Sequence, residues 1–111
     1  NINKNNNEII AIIGPCLSHN NFEVNKGFKK KFIKKNLEYK KFFYNDLNSK
    51  KIHFNMRELI DFQLKEMPIS KIYHIKKDTY SKDSLFFSHR RATHTNLLST
   101  GRMINIIGFK Q

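Results

Sequence analysis

Tryptophan is absent from this sequence of 111 residues, and cysteine, proline and acidic residues are scarce. The one cysteine, Cys16, excludes an internal disulfide and the paired cysteines of a zinc ribbon. No apolar run approaches the roughly 20 residues of a membrane span, and the Asn-rich start lacks the regions of a signal peptide. We therefore expect a cytoplasmic protein without membrane partners. A start at Asn1 rather than Met also suggests a fragment or a trimmed product.

The shortage of acidic residues leaves a formal net charge of +12, with 21 Lys and Arg against 9 Asp and Glu. Such a charge raises the question of a nucleic-acid partner. Only four of the cations are Arg, and Asn and Ile each occur fourteen times. This bias is typical of AT-rich coding sequence, which makes a solvated lysine surface the simpler interpretation. A small basic nucleic-acid-binding protein remains the alternative, with Phe32 and Tyr39 among the lysines of segment 29–41 as candidates for base stacking.

The apolar pattern predicts alternating strands and helices. Residues 1–7 are expected to be a loop or disordered. We predict strands at 8–13, 52–54, 69–75 and 103–109, and helices from Phe22 to near Asn36 and from Asn55 to just before Pro68. Segments 76–84 and 92–99 are expected to be irregular. The order predicts one α+β domain with a mixed sheet and flanking helices.

Two polar residues support the helix starts. Glu23 would lie in the first turn of the first helix, where a carboxylate suits the helix dipole. Asn55 would cap the second helix, and Glu58 three residues later gives a start similar to a capping box.

Several short motifs occur in a fixed order along the chain. Gly14-Pro15-Cys16 is followed by Phe22-Glu23-Val24, then Gln63-Leu64, and the C-terminal part contains FFSHRR at residues 86–91 and Thr100-Gly101-Arg102. From Ile9 to Ile107 this series resembles the YfiH proteins, also called laccase-domain proteins, polyphenol oxidases or peptidoglycan-editing factors. The resemblance implies half of a YfiH-type α/β sandwich similar to that of cytotoxic necrotizing factor.

The chain departs from the family pattern at a few positions. Phe22 and His89 stand where Tyr is common, and Asp78-Thr79 stands where Cys-Thr is usual. Only the role of the side chain at position 78 is put in doubt by these changes.

The resemblance implies a zinc-dependent enzyme that cleaves adenosine, inosine or methylthioadenosine with phosphate, and in some members deaminates adenosine. The older family label implies copper and phenol oxidation. The family's His, Cys and His ligands come from three motifs in the first half, and none of them occurs here. We therefore expect a C-terminal half, inactive alone, with no catalytic residue and no metal of its own. It would require a complementary N-terminal half.

The substrate-binding candidates are near the C-terminus. Ser88, Arg90, Arg91 and Arg102 offer hydroxyl and guanidinium donors suited to phosphate, and Phe87 could stack on a base. Three of the four arginines occur here although the composition favours Lys. The alternatives are a structural salt bridge or a clamp on backbone carbonyls for the arginines, and core packing for Phe87.

Cys16 and the histidines are weaker candidates. Cys16 is a candidate for a position adjacent to the site: a helix N-terminus after it would lower the pKa of its thiol, whereas a small buried residue at a strand end is the structural alternative. The five histidines are scattered, and a catalytic zinc needs three convergent ligands. A third hypothesis for the whole chain is an inert remnant that folds poorly and exposes an apolar strand face.

Overall fold

A computed structural model describes residues 8–81 and 85–107 of the chain. The predicted loop or disorder at 1–7 lies outside these ranges. The strands are β1 (Ile10–Ile13), β2 (Glu23–Val24), β3 (Phe43–Asn45), β4 (Ile52–Phe54) and β5 (Lys71–His74). The helices are α1 (Lys26–Lys35), α2 (Met56–Lys65) and α3 (His89–His94), with 3-10 turns at His19–Asn21 and Leu37–Phe42. No helix within the described ranges is long and apolar enough to cross a membrane.

The strands form two separate sheets. β1 and β5 pair in parallel, with Ile12 opposite Tyr73. The second sheet is antiparallel with β4 in the centre, between β2 and β3. The predicted α+β class is confirmed, and the parallel and antiparallel pairings are divided between the two sheets.

An aromatic core joins the antiparallel sheet to α1 and α2. Phe42, Phe43, Phe54 and Leu59 are buried at its centre. Partly buried apolar side chains surround them: Phe22, Val24, Phe28, Phe32, Tyr39, Ile52, Met56 and Phe62. The Phe43 and Phe54 rings stack with centroids 4.8 Å apart. Aromatic pairs at such distances contribute beyond the apolar area that they bury.

This core also decides which way the aromatic side chains of segment 29–41 face. Phe32 and Tyr39 pack against the buried cluster, while the neighbouring Lys30, Lys31 and Lys40 are exposed. The stacking surface that the nucleic-acid alternative requires is therefore used for folding.

The second helix follows its sequence signals closely. The Asn55 side chain caps α2 by accepting a hydrogen bond from the backbone N–H of Glu58 at 3.2 Å. The helix ends at Lys65, three residues before Pro68. The predicted strand at 69–75 is confirmed over its central four residues as β5, with Lys71 and Tyr73 exposed and Ile72 and His74 half-buried.

The predicted start of the first helix is wrong. Phe22 is not helical and Glu23–Val24 is a strand, because this segment pairs with β4. Glu23 therefore does not lie in a helical turn, and its carboxylate contacts Lys51 Nζ at 3.1 Å. The true cap is Asn25, whose side chain accepts from the N–H of Phe28 at 2.8 Å.

Two C-terminal expectations also need correction. Residues 103–107 form no strand and are exposed, whereas a strand was predicted at 103–109. An apolar run becomes a strand only where another strand supplies hydrogen bonds, and the described part of the chain supplies none here. Ala92–His94 belongs to α3, where irregular chain was expected. Residues 82–84 and 108–111 lie outside the described ranges.

Candidate functional site

A cleft of about 710 Å³ lies beside the carboxyl ends of β1 and β5, against α2. In open α/β sheets, ligands commonly bind outside the carboxyl ends of parallel strands. The lining is mixed in polarity and consists of Leu17, Ser18, His19, Lys41, Phe42, Asn55, Arg57, Glu58, Asp61, Phe62, Lys65, His74, Lys76, Lys77 and Asp78.

Cations outnumber acids in this lining. Five side chains are Lys or Arg and three are Asp or Glu. Two of the three acids, Asp61 and Asp78, already accept hydrogen bonds from protein donors. The cleft is therefore better suited to an anionic ligand than to a cation.

Arg57 connects α2 to the end of β1. Its guanidinium donates to the carbonyl oxygens of Ile13 and Gly14, each at 3.3 Å. These are the last residue of β1 and the first residue beyond it. Arg57 thus fixes the strand end where the Gly14-Pro15-Cys16 segment begins, and places a positive charge on the cleft wall.

Asp61 and His74 form a polar pair in the cleft wall. Asp61 Oδ1 lies 2.8 Å from His74 Nε2, and Asp61 Oδ2 lies 2.7 Å from Lys65 Nζ. The hydrogen bond from Lys65 is the main reason that the pKa of Asp61 is below its ordinary value, with burial opposing it and His74 assisting. Within the described part of the chain, His74 Nδ1 is buried and has no hydrogen-bond partner. Because its pKa is lowered, Asp61 is an ionised hydrogen-bond acceptor in the cleft lining.

Asp78 joins the loop after β1 to the loop after β5. Its Oδ1 accepts from the backbone N–H groups of Ser18 at 3.2 Å and Tyr80 at 2.9 Å. Its Oδ2 accepts from Ser18 Oγ at 2.8 Å and from the Asn21 side-chain amide. The Asp78 carboxylate is therefore the hydrogen-bonding centre of both loops.

These contacts make the Asp78 carboxylate a pH-dependent stabiliser. Burial raises the pKa of Asp78, but the hydrogen bonds from Tyr80, Ser18 and Asn21 outweigh burial and hold it below its ordinary value. A carboxyl whose pKa is lower in the folded chain stabilises the fold above the unfolded pKa of about 4. That contribution is lost as the pH falls through the folded pKa.

The Asp78→Asn variant is expected to be about 1–3 kcal/mol less stable than the parent at pH 7, because the amide cannot accept four hydrogen bonds. The difference should shrink as the pH falls from 5 towards 2, since the parent carboxyl becomes protonated. Urea denaturation across this pH range checks the prediction. Glu66→Gln, at an exposed position, is the control. A stability difference independent of pH would contradict the assignment of the effect to ionised Asp78.

Cys16 lies at the junction of the same two loops. Its N–H donates to Lys77 O at 3.3 Å, and its carbonyl accepts from the N–H of Thr79 at 3.1 Å. Burial raises the pKa of the half-buried thiol, Arg57 opposes this and Asp78 adds to it. The following turn at His19–Asn21 is a short 3-10 turn rather than an α-helix N-terminus. Of the two interpretations of Cys16 that the sequence offers, the geometry therefore favours the small structural residue at a strand end over a thiol with a lowered pKa.

Arg91 lies in a carbonyl clamp. One nitrogen of its guanidinium, Nη1, donates to the carbonyls of Thr79, Tyr80 and Ser81 at 3.3, 3.3 and 2.9 Å. Nη2 donates to Phe86 O at 2.8 Å. This is the carbonyl-clamp arrangement that the sequence left open as an alternative to phosphate binding.

Ser88 and Arg90 position α3. Ser88 is buried, and its Oγ caps α3 by accepting from the N–H of Arg91 at 3.2 Å. Arg90 Nη1 donates to Glu23 O at 3.1 Å, and its guanidinium lies 5.7 Å from the centroid of the Phe22 ring. The helix is thereby fixed to the end of β2.

Phe87 and the Thr100–Arg102 segment lie together. The Phe87 ring packs closely against Gly101, and a Cβ at that position would require the ring to shift. Phe87 is 51% exposed, and Arg102 is exposed. These two side chains are the members of the predicted set that a ligand could reach most directly.

The sequence did not identify Arg57, Asp61 and His74 as site residues. None of the predicted residues Cys16, Phe87, Ser88, Arg90, Arg91 and Arg102 lies in the described cleft lining. One sequence signal was available: Arg57 is the single arginine outside the C-terminal segment in a chain that otherwise favours Lys.

The described residues do not fit a metal site. Across 8–81 and 85–107, no three His, Cys, Asp or Glu side chains converge as ligands would. A zinc or copper ion needs such a group, and no catalytic step is assigned to a metal on this chain.

The chain matches known proteins along nearly its whole length. The family described as multi-copper polyphenol oxidoreductase laccase matches residues 1–110. A protein of Rickettsia prowazekii named purine nucleoside phosphorylase is 28% identical over 98% of this chain and 45% of its own length. One of the same name from Rickettsia conorii is 30% identical over 78% of this chain and 36% of its own length. The chain thus spans less than half the length of these curated relatives.

Proposed function

The chain belongs to the multi-copper polyphenol oxidoreductase laccase family, and from that membership we propose that it is the C-terminal half of a cytoplasmic purine nucleoside phosphorylase. The substrates are phosphate and a purine nucleoside such as adenosine or inosine, and adenosine deamination is a second reaction of the same site. The names of the two Rickettsia relatives support the substrate class. Their greater length supports the need for a complementary half.

The observation that carries this proposal is the cationic cleft at the carboxyl ends of β1 and β5. Phosphate requires positive charge and hydrogen-bond donors, and phosphorolysis develops negative charge that the same groups stabilise. Arg57, Lys65, Lys76 and Lys77 provide cations along this wall. In this proposal, ionised Asp61 accepts a hydrogen bond from a ribose hydroxyl or a purine N–H.

In this proposal the C-terminal residues that the sequence singled out have mainly structural roles. Arg90, Arg91 and Ser88 hold α3 and its neighbouring loops in place through backbone contacts. Phe87 and Arg102 are exposed but lie outside the described cleft lining, so the proposal assigns neither of them a contact with substrate in the cleft. Zinc, in the complete enzyme, is held by the other half and supplies Lewis-acid chemistry.

The proposal predicts that activity depends on both halves. The isolated chain is expected to bind no zinc and to release no hypoxanthine from inosine or adenine from adenosine. Adding the part of the Rickettsia prowazekii enzyme that lies outside the match should give phosphate-dependent release of base and about one bound zinc per pair. Metal analysis and a chromatographic assay for free base measure both quantities.

Charge removal in the cleft tests which residues hold phosphate. In the assembled pair, replacing Lys76 and Lys77 by Gln is expected to lower kcat/KM for phosphate about tenfold or more, the value of one lost charge contact. The same replacement at Lys34 and Lys35, which lie on α1 outside the cleft, is the matched control. Equal losses in the two variants would contradict phosphate binding in the cleft, and zinc-dependent turnover by the isolated chain would contradict the need for a second half.

A further inference from the structure

The two faces of the parallel sheet are covered unequally. On one face, Ile13 is buried and Ala11, Ile72 and His74 are half-buried. This face packs towards α2, whose Asp61 binds His74 and whose Arg57 binds the end of β1. The cleft lies on this side and at the carboxyl ends of the strands.

The opposite face of the parallel sheet is apolar and open. Ile10 is 50% exposed, Ile12 63% and Tyr73 51%, and Ile75 continues the row just beyond β5 at 46%. Ile12 and Tyr73 are register partners in the pairing of β1 with β5, so their side chains lie next to each other on one face. We name this surface the outer face: Ile10, Ile12, Tyr73 and Ile75.

Such a face is unusual for this kind of sheet. Parallel sheets occur almost only where both faces are covered, and their strands are accordingly apolar on both sides. β1 has the sequence IAII and is apolar at every position. Its composition thus fits a strand that is covered on both faces, whereas α2 covers only one of them.

Two properties, the net charge of this chain and the length of its relatives, indicate which partner covers the outer face. A second copy would bring together two chains of net charge +12, each with Lys71 opposite Ile10 at the margin of the outer face, and this repulsion opposes self-association. The curated Rickettsia prowazekii relative, by contrast, contains more than half its length outside the region that this chain matches. That length is enough for further strands and helices.

We propose that the outer face is the surface on which the remaining half of the family polypeptide packs, completing the layer that α2 leaves uncovered. This inference rests on the proposed function for the existence of the second half, and it adds the surface and the orientation. The partner covers Ile12 and Tyr73 while the cleft side of the sheet stays open. It reaches the carboxyl ends of β1 and β5 from the face opposite Arg57.

The test uses the full chain and, as the partner, the part of the Rickettsia prowazekii enzyme outside the match. The two are coexpressed, purified through a tag on the partner and analysed by sedimentation. The parent chain should form a 1:1 complex. Ile12→Lys should weaken it at least about thirtyfold, as expected for a central contact. Leu47→Lys makes the same change in a turn at a side chain that is 92% exposed and should leave the affinity unchanged.

Every outcome of this binding experiment either supports or overturns the proposed docking surface. Circular dichroism of Ile12→Lys alone should match the parent, because the side chain is already exposed, and this separates docking from folding. Absence of a complex with the parent chain, or equal binding by Ile12→Lys, overturns the proposal. A dimer of the parent chain that Ile12→Lys abolishes assigns the outer face to a second copy and also overturns it. A complex that forms but releases no base refutes the proposed function and leaves the docking surface established.

Discussion

The Phe54→Ala variant is expected to lose about 3–5 kcal/mol of its free energy of unfolding, the usual cost of emptying a buried phenylalanine site. Phe54 is only 2% exposed, and it lies at the centre of the aromatic core. Its ring centroid is 4.8 to 5.4 Å from those of Phe43, Phe32, Phe22 and Phe28. Small domains have about 5–15 kcal/mol of stability in total. A short chain is at the lower end, so this variant should be largely unfolded near physiological temperature.

Urea denaturation followed by far-ultraviolet circular dichroism measures this loss. Leu47→Ala removes a comparable apolar side chain from a turn, where it is 92% exposed, and should change stability by less than about 0.5 kcal/mol. A similar loss in the two variants would mean that the aromatic cluster does not form the core of the protein in solution.

The second large effect is expected at Arg91. Replacing it with Met should destabilise the chain by about 2–4 kcal/mol, because four backbone carbonyls lose a charged donor while the aliphatic packing is kept. Arg91→Lys should recover less than half of the loss, since one ammonium group cannot reproduce the planar fork of donors. Hydrogen exchange of the amides at 79–81 should accelerate in both variants.

This experiment also separates the two interpretations of Arg91 that the sequence left open. If Arg91 served phosphate alone, Arg91→Met would leave stability unchanged and would lower only phosphate affinity in the assembled pair. Arg102→Met, at an exposed position, is the control that should not destabilise the chain. Full recovery of stability by Lys would show that positive charge, rather than the guanidinium geometry, holds the loop.

The elements that local signals specify were predictable. Strand β1 follows from an apolar run ended by Gly14-Pro15, and α2 follows from Asn55 as its cap and from apolar residues at helical spacing. The segment Phe22–Val24 shows the limit of this reasoning. Its spacing continues the pattern of α1, but pairing with β4 takes it into a sheet. A helix start is decided locally only when no strand competes for the same backbone.

The cleft could not be predicted for a related reason. Ser18 and Asp78 are 60 positions apart, and Arg57 meets Ile13 across 44. No short motif encodes such contacts. The family motif at 86–91 contains two arginines, which made this segment the predicted site, but Arg90 and Arg91 bind backbone oxygens in the structure.

The uncovered outer face also sets how this protein responds to ionic strength. Repulsion between chains of net charge +12 keeps these apolar strips apart, but salt shortens the range of that repulsion from about 10 Å at 0.1 M to about 3 Å at 1 M. The attraction between apolar surfaces does not decline in the same way, and sulfate or phosphate salts strengthen it. With the outer face uncovered, the chain is expected to depend on its lysines for colloidal stability, and raising the salt concentration should favour association through that face.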